Sequence, residues 1–171
     1  LGKLYWYYYE APEERATRSK SWFQKVIENA PEDYENLNMA KTYASIGEFR
    51  AKQKNRNNAE GISNTEFKDY FNNLKELLNT VATNANEQEI VRLELLEMAR
   101  GMLQQYPTTF KGLGISEDEL MQVYDLIAKT TESITPISDV TEKKKAAILE
   151  NMADTKQYIE TAYNTKAEVK K

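Results

Sequence analysis

Apolar residues recur three and four positions apart along most of this 171-residue chain, which is the spacing of helices that bury one face. No segment alternates between apolar and polar residues for long enough to indicate a strand. Gly and Pro, the residues that most often interrupt helices, number only six and four. The pattern predicts an all-α protein of about seven or eight helices, with short loops that make sequential helices antiparallel neighbours.

Two serines predict where helices begin. Ser63 is followed three residues later by Glu66, and Ser116 by Glu119, which is the spacing of a capping box. The helix after Ser63 has the cleanest apolar face in the chain, formed by Phe67, Tyr70, Phe71, Leu74, Leu77, Leu78 and Val81.

Other helix boundaries are predicted from Gly, Asn and Pro. Gly47 is placed to end, in the left-handed conformation, a helix that begins at Glu32. Residues 49–58 are basic and rich in Asn, with little apolar face, so they predict either an exposed, frayed helix or a loop. Asn86 is expected to cap a central helix that stops at Pro107.

The last helix is the longest, from Asp139 to about Lys170. Its apolar seam consists of Ile148, Met152, Thr155, Ile159 and Ala162. The seam predicts a helix that covers one end of the helical array. The alternative is a homotypic coiled-coil contact, which Thr155 and Ala162 weaken because they supply little apolar surface.

The first 60 residues carry a spacing that resembles the tetratricopeptide repeat, a pair of antiparallel helices. Leu1-Gly2-x2-Tyr5 resembles the first helix of that repeat, and Ser19-x3-Phe23, followed by Pro31, resembles the second. Ala40-x2-Tyr43-x3-Gly47-x-Phe49 resembles the start of a second unit. The resemblance implies one helical domain, with a tetratricopeptide-like array at residues 1–60 and general helix hairpins at 63–171. The alternative is an irregular helical bundle.

A second resemblance rests on longer stretches of sequence. Leu1-Gly2-Lys3-Leu4-Tyr5-Trp6-Tyr7-Tyr8, Met39-Ala40-x2-Tyr43-x3-Gly47-Glu48-Phe49 and Glu89-Ile90-Val91-Arg92-Leu93-Glu94-Leu95 are similar to the helical region that follows the kinase domain in some bacterial membrane-anchored Ser/Thr protein kinases. The resemblance implies a regulatory region of a larger signalling protein. The kinase motifs themselves are absent from this chain, so any kinase activity would belong to another part of the polypeptide.

The composition excludes several kinds of catalytic and metal-binding site. The chain has no His and no Cys, which excludes Ser-His-Asp and Cys-His catalysis and removes the commonest transition-metal ligands. Gly112-Leu113-Gly114 lacks the Lys-Ser/Thr pair of a phosphate loop and is expected to be a turn. We therefore expect no enzyme, no cofactor and no metal.

Charge and hydropathy indicate whether the chain is suited to bind nucleic acid or to cross a membrane. The net charge of −4 gives no electrostatic drive towards nucleic acid. No apolar run approaches the length of a membrane span, roughly 18 residues or more. Because the chain begins at Leu1 rather than Met, we expect it to be part of a longer protein.

Candidate partner-binding residues come from the aromatic start of the chain, from the second repeat-like unit and from the one basic run. The first interpretation of the aromatic residues at the start of the chain is that they pack against other helices. The second is that they form a surface that binds a partner. The basic run is either solvated or a site for phosphate or nucleic acid. The candidates are Tyr5, Tyr8, Tyr9, Tyr43, Arg50 and Lys54.

Two functions are consistent with these observations. The first is a non-catalytic helical module that binds a protein or peptide in a groove between stacked hairpins. The second is a structural spacer or a bundle that forms homo-oligomers. The ligand and the cellular compartment are not encoded in any motif of the chain.

Overall fold

A computed structural model of the chain describes residues 2–3, 12–52 and 61–164, apart from the side chains of residues 12–17 and 50–52. Every regular element in these ranges is helical, which confirms the all-α prediction and the long C-terminal helix. The elements are α1 (Pro12–Asn29), α2 (Leu37–Lys52), α3 (Asn64–Leu77), a π-helical turn (Leu78–Ala82), α4 (Glu89–Gln105), α5 (Pro107–Gly112), α6 (Glu117–Ser133) and α7 (Asp139–Asn164).

The chain divides into two compact units, Leu1–Val81 and Ala82–Lys171. The expectation of one helical domain over residues 1–171 stays a prediction, and each unit is described here by itself.

The first unit is built from antiparallel neighbours. Phe23 stacks on Tyr43 with ring centroids 5.1 Å apart, and Lys20 pairs with Glu48 at 3.5 Å, so α1 and α2 run in opposite directions. Asn73 of α3 donates to the hydroxyl of Ser45 at 2.8 Å. Nearly all of α2 is therefore covered, and Lys41 is its one exposed position among the described side chains.

Two predicted features of α2 are wrong. The helix begins at Leu37 rather than Glu32, and it continues through Gly47 to Lys52. Gly47 is buried within the helix, and positive backbone φ angles among the described glycines occur only at other positions. Phe49 is also buried, against the rings of Phe67 and Tyr70. Burial of that ring outweighs the low helix propensity of glycine, roughly 1 kcal/mol, and extends the helix.

Gly2 makes a close contact in the first unit. Its carbonyl oxygen accepts a 3.0 Å hydrogen bond from the buried hydroxyl of Ser19. A Cβ atom at Gly2 would lie 2.9 Å from the ring of Phe23. The absence of a side chain at Gly2 therefore lets the backbone rest directly on that ring.

The second unit is an up-down-up bundle of α4, α6 and α7. Lys144 pairs with Glu94 at 2.7 Å and, further along both helices, Thr155 contacts Arg100 at 3.2 Å, so α4 and α7 run parallel. Lys145, near the start of α7, donates to the carbonyl of Ile134 just beyond α6, and Tyr163, at the far end of α7, donates to Ile115 just before α6, so these two helices run antiparallel. The predicted seam of α7 faces inward and is buried at Ile148, Met152, Thr155 and Ile159, with Ala162 half-buried.

The predicted caps have mixed outcomes. Ser63 and Glu66 form the reciprocal capping box, and the hydroxyl of Ser116 accepts from the Glu119 backbone N–H at 3.2 Å. Asn86 does not cap α4. The residue before that helix is Gln88, and it makes no side-chain capping bond. The Asn86 N–H is instead taken up by a local turn, in which it donates to the side chain of Asn84.

Gly2 and Gly101 both lie in helices and should respond oppositely to substitution by alanine. Gly2→Ala forces a methyl group against the Phe23 ring, which also stacks on Tyr43, and should destabilise the first unit by about 1–2 kcal/mol. Gly101→Ala meets open space and should stabilise the second unit by about 0.5–1 kcal/mol.

Urea denaturation measures both effects. The two Trp residues of the chain, Trp6 and Trp22, belong to the first unit, so their fluorescence follows that unit and circular dichroism follows both. A neutral Gly2→Ala variant would contradict the close packing.

Thr42 carries the one buried side-chain polar atom without a hydrogen bond among the described residues. Thr42→Val removes that unsatisfied hydroxyl and should stabilise the first unit by about 1 kcal/mol in urea denaturation. Thr131→Val is the matched control, because the equally buried Thr131 hydroxyl donates to Ile127 and its loss should destabilise. Destabilisation by both substitutions would show that the Thr42 hydroxyl has a partner in solution.

Candidate interaction surface

The structure describes the side chain of one of the six candidate partner-binding residues. Tyr43 is fully buried, with its ring stacked on Phe23 inside the first unit. Arg50 lies in α2, but its side chain is outside the described part. Tyr5, Tyr8, Tyr9 and Lys54 also lie outside the described residues. The role of these five residues stays a prediction, whereas Tyr43 has a packing role.

The described side chains offer little reaction chemistry. In residues 2–3, 12–52 and 61–164, no three Asp or Glu side chains lie close enough together to hold a metal ion. None of the described helices is both long enough and apolar enough to cross a membrane.

Two tyrosines have shifted proton affinities. Burial, and then the carboxylates of Asp125 and Glu160, raise the pKa of Tyr124 above 10.0. Burial, and then Glu117 and Glu119, raise the pKa of Tyr163 in the same way. Both shifts keep the phenol protonated at neutral pH, which makes it a hydrogen-bond donor rather than a base.

Exposed apolar side chains are concentrated at α7. Four large apolar residues are exposed in the described part of the chain, namely Tyr34, Ile137, Val140 and Tyr158. Two of these lie in α7, and Ile137 lies two residues before it. Ile137 is 84% exposed and Val140 is 59% exposed, so their side chains contribute little to the core of the second unit.

The backbone around Ile137 is fixed although its side chain is exposed. Its N–H donates to the carboxylate of Glu89 at 3.1 Å. The next residue, Ser138, exchanges hydrogen bonds with Thr141 and caps α7. An apolar residue just before a cap usually packs on the fourth residue of the helix, but that position here is the exposed Glu142. Local structure therefore leaves Ile137 uncovered.

A line of exposed residues continues from Val140 along α7. Steps of three, four, three, four and four residues keep these positions within about 80° of one another around the helix axis. They lie off the buried seam. We call this line the outer stripe of α7, and it consists of Val140, Lys143, Ala147, Glu150, Asp154 and Tyr158.

Polar contacts fasten α7 to α4. Lys144 pairs with Glu94 near the start of both helices. Further along, Arg100 donates to Gln104 at 2.6 Å and to the buried Thr155 hydroxyl at 3.2 Å. These contacts fix the register of α7 and hold the outer stripe towards solvent.

The far end of α7 is fastened to the α5–α6 turn. The Tyr163 hydroxyl donates to the carbonyl oxygen of Ile115. Lys111 donates to the carbonyl of Ala162 at 3.1 Å and lies 5.9 Å from the centroid of the Tyr163 ring. Both ends of α7, the longest helix of the second unit, are thus held by contacts with neighbouring segments.

The sequence contains a pattern that indicates the outer stripe, although the seam is the stronger pattern in α7. Val140 and Tyr158 are apolar residues outside the seam and are 18 positions apart, which is five full helical turns. Apolar residues left over after a seam has been assigned predict a second face. Ile137 has no comparable signal, because its exposure depends on the polar identity of Glu142 and on the path of the turn.

Comparison with protein-family models, with characterised proteins and with solved structures gives no match for this chain. Its function must therefore be inferred from the geometry of its own residues.

The Tyr163 hydrogen bond should make the second unit sensitive to alkali. A folded pKa above the unfolded value means that stabilisation is complete below pH about 10 and is lost as pH rises through the folded pKa. Tyr163→Phe should cost about 1 kcal/mol at pH 7 and should make the loss of stability above pH 10 less steep.

Urea denaturation followed by circular dichroism, from pH 7 to 11, measures both quantities. Tyr158→Phe, at an exposed position in the same helix, is the matched control and should change neither. Equal alkaline slopes for Tyr163→Phe and the unsubstituted protein would contradict the role of the phenol.

Proposed function

We propose that the chain is a non-catalytic helical module that binds a protein or peptide and acts as a regulatory part of a larger signalling protein. The observation that carries the proposal is the exposed pair Ile137 and Val140 at the start of α7. Exposed apolar side chains are common singly, but a pair on adjacent turns with a fixed backbone suits a partner surface.

Burial of this surface against a partner would be favourable in free energy. Burial of an exposed Ile or Val side chain contributes roughly 1.5–3 kcal/mol. Glu89 and the cap formed by Ser138 and Thr141 already order the backbone, so a partner meets a surface whose ordering cost is small. The pair Lys144–Glu94 supplies charge one turn further along α7, as in the polar rim of many interfaces.

Contacts in the first unit support a tetratricopeptide-like arrangement. In that pattern, small residues let paired helices approach, and aromatic residues fill the space between them. Gly2, Ser19 and Phe23 meet at such a close approach, and Phe23 stacks on Tyr43. The array remains part of the proposal, as does the groove it would form.

The attachment to a bacterial Ser/Thr kinase rests on the sequence phrases that include Leu1–Tyr8 and Glu89–Leu95. The reading frame that encodes this chain tests it directly. A kinase domain in the same frame, N-terminal to this region, would support the attachment, and a frame without one would remove it.

A photo-crosslinking amino acid at position 137 tests the protein-binding function in cells that express the natural protein. We expect a discrete protein adduct at Ile137, because a partner would cover this side chain. Position 153 is the control, since Ala153 is exposed on α7 more than three turns away from Val140. Equal adducts, or none, at the two positions would contradict the proposal.

A further inference from the structure

We infer that Tyr34, in the connection between α1 and α2, is a phosphorylation site for a separate tyrosine kinase. The site lies in the first unit and shares no residue with the surface around Ile137, so it goes beyond the proposed function. Three properties of Tyr34 carry the assignment: the exposure of its ring, the backbone that holds it and the charges beside it.

Tyr34 is one of two exposed tyrosines in the described part of the chain, and the other is Tyr158. The ring of Tyr34 is 42% exposed, and its hydroxyl has no hydrogen-bond partner among the described residues. The remaining described tyrosines are buried or half-buried. An enzyme that modifies a phenol can therefore reach Tyr34 and Tyr158 most readily.

The backbone distinguishes these two tyrosines. Tyr34 lies between the end of α1 and the start of α2, where its N–H donates to the Pro31 carbonyl and its own carbonyl accepts from Leu37, both at 3.0 Å. Tyr158 lies within α7, where helical hydrogen bonds hold the backbone on both sides. A kinase takes its acceptor residue in extended backbone. Tyr34 reaches that state by the opening of a turn, whereas Tyr158 requires α7 to unwind.

The segment around Tyr34 carries charge of one sign. Glu32 and Asp33 precede Tyr34 and Glu35 follows it, and all three side chains are exposed. No salt bridge within the described part of the chain neutralises them. Residues 26–40 contain no Lys or Arg. A run of carboxylates attracts an enzyme whose substrate cleft is basic, so these charges select the class of kinase.

The transfer balances with one co-reactant, a nucleoside triphosphate bound by the kinase. The hydroxyl oxygen of Tyr34 forms a bond to the γ-phosphorus, the bond from that phosphorus to the bridging oxygen breaks, and the nucleoside diphosphate leaves. The phenol proton passes to a base of the kinase. The kinase motifs are absent from these 171 residues, so the catalytic groups come from outside them.

The product is a docking site for a basic pocket. A phosphate adds a charge of about −1.5 to −2 beside the existing carboxylates. Arg side chains of a partner recognise such a group through charge-assisted, bidentate hydrogen bonds. Phosphorylation thus adds a recognition signal on an exposed turn.

Phosphorylation in vitro, read by mass spectrometry, tests the site. The folded chain is incubated with ATP, Mg²⁺ and a tyrosine kinase that selects acidic substrates, and is then digested with trypsin. Peptide 26–41 contains Tyr34 and no other Tyr, Ser or Thr, so a phosphate on it identifies this residue. We expect an initial rate at least about tenfold higher for this peptide than for peptide 157–166, which contains Tyr158.

Variants separate the effect of charge from that of the backbone. Glu32→Gln combined with Asp33→Asn should slow phosphorylation of Tyr34 by about tenfold, because it removes two attracting charges. Glu150→Gln combined with Asp154→Asn removes two exposed carboxylates from α7 and should leave the rate unchanged. A synthetic peptide 157–166 should be phosphorylated faster than the same segment in the folded chain, because the helix no longer protects Tyr158. Circular dichroism confirms that each variant remains folded.

Chains purified from cells that express the natural protein, in the presence of phosphatase inhibitors, should also carry phosphate on peptide 26–41. Unmodified Tyr34 in those chains would overturn the inference. So would equal initial rates for the two peptides, or equal slowing by the substitutions in α7. Cross-linking at position 137 reports on a different surface, so the failure of either proposal can be recognised separately.

Discussion

The guanidinium of Arg100 lies between α4 and α7, and a charge that is removed from water has to be paired there. It is held by the carboxylate of Glu97, by Gln104 and by the hydroxyl of Thr155. Glu97 and Gln104 belong to α4 itself, whereas Thr155 belongs to α7 and contacts both Arg100 and Gln104, so sliding α7 by one turn would break both of these contacts. The orientation of every other α7 side chain follows from this register.

The two sides of α7 result from that constraint. One side presents the apolar seam to the bundle, and the other presents an exposed line that mixes apolar and charged residues. A helix that only covered a core would need no apolar residue on its outer side. Val140 and Tyr158 supply the apolar surface of that exposed line.

Helices and their buried faces could be predicted from the sequence because they depend on local spacing. The Ser63–Glu66 cap and the seam from Ile148 to Ile159 are of this kind. Gly47 was misassigned because tertiary burial of Phe49 carries the helix past it. Asn86 was misassigned because α4 begins only at Glu89, which puts Asn86 two residues before the N-cap position.

The candidate surface was harder to predict than the fold. Tyr43 suggested a contact surface by residue type, yet its position in α2 places it against Phe23. The backbone of Ile137 is held by a long-range hydrogen bond to Glu89, 48 residues away, which no local pattern encodes. Such properties require the packing of α4 against α7 to be known.

The end of α6 has a consequence for the order in which the second unit forms. The carbonyls of Glu132, in the last turn of α6, and of Ile134, just beyond it, accept hydrogen bonds from Lys145 of α7. The final turn of α6 is thus complete only when α7 is docked. The two segments belong to one cooperative unit, and their amide protons should exchange with solvent at a common rate set by the opening of α7.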